Sequence, residues 1–166
     1  MTKIERFVLG MAALSGTSFA DPLDLGAVQG AYHRYFENSD ITGAKHQGDD
    51  VLEIVKLSDS AAYFRTHLDF FNGHTCGIWG VAEVANRTLV YKSKILPGCT
   101  MILSFTDGKA TLSDDDGACR AQSCGARGGY HGASFDMRSR RTIRYLDRLK
   151  ASREFKQAID EAQAKP

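Results

Sequence analysis

Ala61-Ala62-Tyr63-Phe64-Arg65-Thr66-His67-Leu68-Asp69-Phe70-Phe71 alternates at period two. Ala62, Phe64, Thr66, Leu68 and Phe70 fall on one side of an extended chain, and Tyr63, Arg65, His67 and Asp69 fall on the other. Such a strand buries one face and wets the other. Shorter runs of the same kind cover Val28–Phe36, Val51–Leu57, Thr75–Val84, Thr88–Lys92, Thr100–Thr106 and Lys109–Ser113. Turn residues separate them: Asn72-Gly73, Asn86-Arg87, Pro97-Gly98 and Asp107-Gly108. Asp107-Gly108 is the strongest hairpin signal, because a type I′ turn needs positive φ at both central residues, which Asp tolerates and Gly adopts freely. Strands joined this way in sequence order predict a mainly β fold, an antiparallel meander forming a small barrel or half-barrel.

Beyond Phe135 the period changes. Ile143, Leu146 and Leu149, then Phe155, Ala158 and Ile159, recur at helical spacing among arginines and lysines, which predicts a C-terminal helix or helix pair. Ser139 is the expected N-cap of the first segment, and Ser152 that of a second after a break near Ala151.

At the other end, Lys3 and Arg6 precede the apolar run Phe7–Leu14, and small residues end at Ser18-Phe19-Ala20. A positive region, a short apolar region and small residues before a cut are what a signal peptidase reads. The alternative is a buried N-terminal helix. The expected layout is therefore 1–20 signal peptide, 21–137 disulfide-pinned antiparallel β domain and 138–166 basic helical segment packed on it. No apolar run is long enough to span a bilayer. Cleavage before Asp21 would leave 19 basic and 19 acidic residues, a neutral chain with an uneven distribution. Residues 138–166 hold nine Lys/Arg against four Asp/Glu, a net +5, and residues 21–137 carry −5. An exported protein has little access to nucleic acid, so the basic face reads as a solvated helix docked on an acidic body.

Cys76, Cys99, Cys119 and Cys124 are an even set in a chain bound for an oxidising compartment, periplasmic or secreted, and two disulfides are expected. Of three possible pairings we favour Cys76 with Cys99, clamping neighbouring strands, and Cys119 with Cys124, tying off a four-residue loop. Metal binding by cysteine with His74 or His131 is the rival, but Cys-x4-Cys is not the tight spacing of zinc sites. No metal or cofactor is expected. The triplet Asp114-Asp115-Asp116 reads as a polar turn, because the other oxygen ligands of a calcium loop are missing. No nucleophile elbow, zinc-protease motif or phosphate-cradling loop is present, and Cys124 beside Cys119 reads as a disulfide rather than a thiolate nucleophile. A non-catalytic protein is expected.

Gly117–Gly132, with five glycines and two cysteines, reads as a stiff projecting loop, its ordering entropy lost before a partner arrives. Within it, Ala118-Cys119-x4-Cys124-Gly125-x-Arg127 resembles the disulfide-closed loop of Ivy-type periplasmic lysozyme inhibitors, which enters the lysozyme cleft. Where that family has a histidine, this chain has Gln122. The resemblance implies an inhibitor of lysozyme-like cell-wall-degrading enzymes, with Arg120, Gln122 and Arg127, flanked by His74 and His131, at a protein partner of the envelope or host. A looser resemblance, through Leu52-Glu53-Ile54-Val55, Asn72-Gly73-His74-x-Cys76, Cys99 and Cys124–Gly128, is to small exported bacterial β-domain proteins of unassigned role. The alternative function is a lipocalin-like barrel that holds a small apolar ligand, which requires small inward residues such as Ala62, Gly80 and Ala82 to leave a cavity.

Overall fold

The computed structural model describes residues 22–164 of the 166. The expected signal peptide lies outside them. Eight antiparallel strands follow one another in sheet order as they do in sequence: β1 Gly30–Ser39, β2 Lys45–Lys56, β3 Ala61–Asp69, β4 Thr75–Ala85, β5 Thr88–Lys92, β6 Thr100–Thr106, β7 Lys109–Ser113 and β8 Ser134–Asp136. The helices are α1 Leu25–Val28, α2 Ala118–Ser123, α3 Leu146–Ala151 and α4 Arg153–Gln163. This is the meander expected from the alternating pattern, rolled into a nearly closed barrel. Asp107 and Gly108 take φ of 52° and 71° and join β6 to β7 tightly, as the type I′ signal requires.

The last gap in the barrel wall, between β8 and β1, is closed by the stretch after β8. Ala31 and Arg141 exchange both backbone hydrogen bonds, at 2.9 and 2.8 Å. That pairing corrects the expected helix start. Ser139 ends a short 3₁₀ turn, Met137–Ser139, whose Arg138 amide is held by Asp136, and α3 begins only at Leu146 because the chain first pairs with the edge of β1 at Arg141. Ser152 does cap α4, its Oγ accepting from the Phe155 amide at 3.2 Å.

Inside the barrel, Tyr32, Leu52, Ile54, Phe64, Leu68, Leu89, Met101, Leu103 and Phe135 are fully buried. Each large side chain taken from water contributes roughly 2 kcal/mol. Ala62 and Ala82 are buried in the same cluster, but bulky neighbours take up the space they leave. The Tyr91 ring lies so close over Gly80 that a Cβ there would meet it at 2.3 Å, and it packs edge-on against Phe64, 5.4 Å between centroids. The interior is filled around these positions rather than hollow.

A second apolar layer lies outside the barrel, where Ile143, Leu149, Phe155 and Ala158 cover Ala31, Val55, Tyr63, Trp79 and Val81. Tyr63 therefore sits on the outward face, as its alternation predicts, and is buried all the same. Polar contacts fix this layer. The buried Glu53 carboxylate accepts from Arg65 Nε at 2.5 Å and from the Tyr145 hydroxyl. On α4, Glu161 accepts from the Tyr91 and Ser93 hydroxyls and from the Lys94 amide. Arg144, Arg148 and Arg153 are exposed, as a solvated basic face requires, and apolar burial with carboxylate acceptors holds the helices.

Burial pushes the phenols of Tyr32 and Tyr130 up to about 12, and those of Tyr63 and Tyr91 higher still. A phenol whose folded pKa exceeds its unfolded value contributes stability that is fully present below about pH 10 and lost as pH rises through the folded value. The urea midpoint should stay level from pH 7 to 9 and fall steeply toward pH 11.5. A level midpoint across that range would mean these tyrosines are not buried as described.

Candidate binding face at the disulfide-pinned end of the barrel

The four cysteines form two disulfides, Cys76–Cys124 and Cys99–Cys119, and not the favoured pairs. The reason is local. Residues 118–123 form helix α2 rather than an irregular loop, and five positions along a helix turn the chain by roughly 140° beyond a full circle. Cys119 therefore faces the barrel while Cys124, in extended conformation at the helix end, runs beside β4. Chain-entropy arguments give loops of this length about 3 to 4 kcal/mol each, less where one is nested in the other.

This pairing seals a split in the sheet. β4 pairs with β5 only at Glu83–Ala85, so Thr75–Ala82 has no ladder partner on that side. The chain around α2 fills the opening. The Gly125 amide donates to Thr75 O at 2.8 Å, Cys124 bonds the β4 side, and Cys119 bonds Cys99 at the start of β6. Gly128 lies against the bridge, where a Cβ would meet Cys76 Sγ at 2.4 Å. Two disulfides place the folded chain in an oxidising environment.

The acidic triplet explains why a helix begins here. Asp114, buried, accepts from the amides of Cys119 and Arg120 at 3.2 and 2.7 Å, and Asp116 accepts from Ala118 at 3.0 Å. These are the amides that a helix start leaves unpaired. Gly117 at φ 70° turns the chain from the triplet into the helix.

Of the residues expected at a partner, two are engaged within the segment. Arg120 Nε donates to Gly128 O at 2.7 Å, and Gln122 Nε2 donates to Pro97 O and Ala118 O at 3.0 and 2.9 Å. Both brace the segment. Arg127 is exposed, its guanidinium carbon 5.0 Å from the centre of the Phe71 ring. His74 is half-buried against Gly125. His131 is exposed, 3.5 Å from Asp115, and stands at the far end of the segment. His74 thus packs on Gly125, Arg127 stands over Phe71, and His131 faces Asp115.

Around them the connections β1–β2, β3–β4, β5–β6 and β7–β8 all emerge at one end of the barrel. Three exposed large apolar side chains sit on these connections: Ile41 (76% exposed), Ile95 (67%) and Phe71 (38%). Contacts link the connections into one face. The Ile41 amide donates to Asn72 Oδ1 at 3.2 Å, Asn38 Nδ2 holds Phe70 O at 3.0 Å, and Gln122 ties α2 to Pro97. Sequence reasoning gave none of Ile41, Phe71 and Ile95 a place on an exposed face. The available signal was a bulky apolar residue inside each turn-rich connection, where no alternation assigns it to a core.

Among the described residues, no group of His, Cys, Asp and Glu is arranged to hold a metal ion, and no helix is long and apolar enough to cross a membrane.

Asp114→Ala should lower stability by about 1 to 3 kcal/mol, because two helix-start amides lose a buried acceptor, while Asp115→Ala changes little. Denaturant midpoints of the two variants check this, and equal effects would remove the capping role. Comparison with protein-family models, with curated proteins and with solved structures finds no match for this chain.

Proposed function

We propose that this is an exported, non-catalytic binding protein of the periplasm or extracellular space, and that its disulfide-pinned barrel end seats in the acidic cleft of a lysozyme-like cell-wall-degrading enzyme. The observation that carries the reading is the convergence of Ile41, Phe71 and Ile95 on the end that both disulfides make rigid. Exposed apolar side chains gathered on a stiff scaffold, with an arginine among them, are the composition of a protein interface with anchors at its centre. Rigidity lowers the ordering cost of association. Within this face Arg127 is the cation presented outward, its guanidinium carried on the Phe71 ring, and glycosidase clefts hold paired carboxylates that such a group can meet. Arg120 and Gln122 act as positioning residues that keep Gly125–Gly128 in place. The filled barrel interior speaks against an enclosed apolar ligand and leaves the end face as the better-supported surface.

Lysis of a cell-wall suspension by c-type and g-type lysozymes and by lytic transglycosylases, followed as turbidity loss, tests the proposal. The mature oxidised chain should inhibit at least one of them. Arg127→Ala and Phe71→Ala should each weaken that inhibition by about 2 kcal/mol, some thirtyfold, while Arg148→Ala has little effect. No inhibition of any of these enzymes at micromolar excess overturns the reading.

A further inference from the structure

On the outer face of β1–β4, two neighbouring rungs of the sheet lie at the border of the C-terminal cover, one beyond it and the next partly beneath it. One sets His33, Val51, His67 and Gly77 side by side, and the next sets Ala31, Glu53, Arg65 and Trp79 in register. They form an open groove of about 400 Å³ with Tyr145 and Glu154 at its rim. It lies on the sheet face, apart from the loop-bearing end described above.

We propose that this groove is a saccharide site that seats one pyranose ring on Trp79. A pyranose has a flat face of C–H bonds that packs on an aromatic ring, and an edge of hydroxyls that both donate and accept. The groove matches both. Trp79 is partly exposed and faces it, and the floor beside the indole is Val51 and Gly77, low and without polar atoms in the side chains. Donors and acceptors of both signs surround that floor, and no single charge dominates, because Glu53 is neutralised by Arg65. The imidazoles are held in place by carboxylates, His33 by Asp49 at 2.9 Å and His67 by Asp69 at 3.1 Å. Rigid polar groups around an aromatic platform recognise a polyhydroxylated ring better than an acyl chain or a simple ion.

Gly77 gives the independent indication. Its backbone is ordinary strand, not one of the positive-φ glycines, and an added Cβ would meet only Thr66 O at 3.8 Å. Nothing in the fold requires glycine here, and glycine inside a strand is unfavourable by about 0.5 to 1 kcal/mol relative to alanine. What its missing side chain does is keep the floor open next to Trp79.

Trp79 is the sole tryptophan of the chain, so its emission reports on the groove directly. Titration with chitotriose, cellotriose and maltotriose should give a saturable change in emission with at least one of them at a Kd of about 1 mM or tighter. Calorimetry with that sugar should show affinity reduced at least about tenfold in Gly77→Val and in Trp79→Ala. Gly77→Val suits a strand and meets open space, so its far-UV circular dichroism should match the parent. Arg127→Ala should bind the sugar as the parent does, which separates this proposal from the inhibitor reading. No emission change with any of the three sugars up to about 10 mM, or undiminished binding by Gly77→Val, overturns it. So does a response to an aromatic dipeptide amide with none to the sugars.

Discussion

The fold depends on how the chain closes a split that its own strand lengths create. β4 is eleven residues long, β5 is five, and only three residue pairs join them. A barrel with such an opening would expose the edge of β4 and let water reach Cys76, Ile78 and Tyr91. The segment around α2 prevents this, as a short backbone bridge on one lip and a helix resting near the other, with a disulfide to each. Covering an edge is a general requirement of β-proteins. Here the cover also presents Arg127 over Phe71, so the element that seals the split forms part of the exposed end.

The C-terminal helices answer a second requirement. The outward face of β2–β4 bears Val55, Tyr63, Trp79 and Val81, too apolar to leave in water, and α3 and α4 supply Leu149, Phe155 and Ala158 against them. Glu53 and Glu161 then fix the helices at two places, one through Tyr145 and one through Tyr91, Ser93 and Lys94. A buried carboxylate is tolerated only when its lone pairs are used, and Glu53 has both oxygens engaged. Where the cover ends, the sheet face becomes polar, and the Trp79 groove opens along that border.

Much of the architecture was legible because it follows from short-range rules. Period-two alternation located β1–β7 though not the three-residue β8, Asp107-Gly108 fixed a hairpin, and Ser152 marked a helix start. The errors arose where one segment answers to a distant one. The pairing of Cys76 with Cys124 depends on a split visible only once β4 and β5 are placed together, and the 3₁₀ turn at Ser139 arises because Ala31 needs a backbone partner. Gly117–Gly132 looked irregular because its glycines outweighed Ala118–Ser123; the acidic triplet does turn, as read, and its carboxylates also start the helix. The candidate site was half legible. Arg127 and His74 were singled out, and Arg127 stands exposed over Phe71, but Arg120 and Gln122, though exposed, are engaged by backbone carbonyls, which spacing alone does not reveal. Ile41, Phe71 and Ile95 were missed as surface anchors because each lies in a connection between strands, where alternation assigns no face.

The central claim is that α2 and its flanks are clamped to both lips of the split by the two disulfides. Amide hydrogen exchange of the oxidised and fully reduced protein tests it most directly, read at Cys124 and Gly125 with Ile54 and Phe64 as internal reference. In the oxidised protein the Gly125 amide, bonded to Thr75 O, and the Cys124 amide, bonded to Arg120 O, should exchange slowly. Reduction should release both while Ile54 and Phe64 stay protected. Fast exchange at Gly125 in the oxidised protein, or protection there that survives reduction unchanged, would contradict the account.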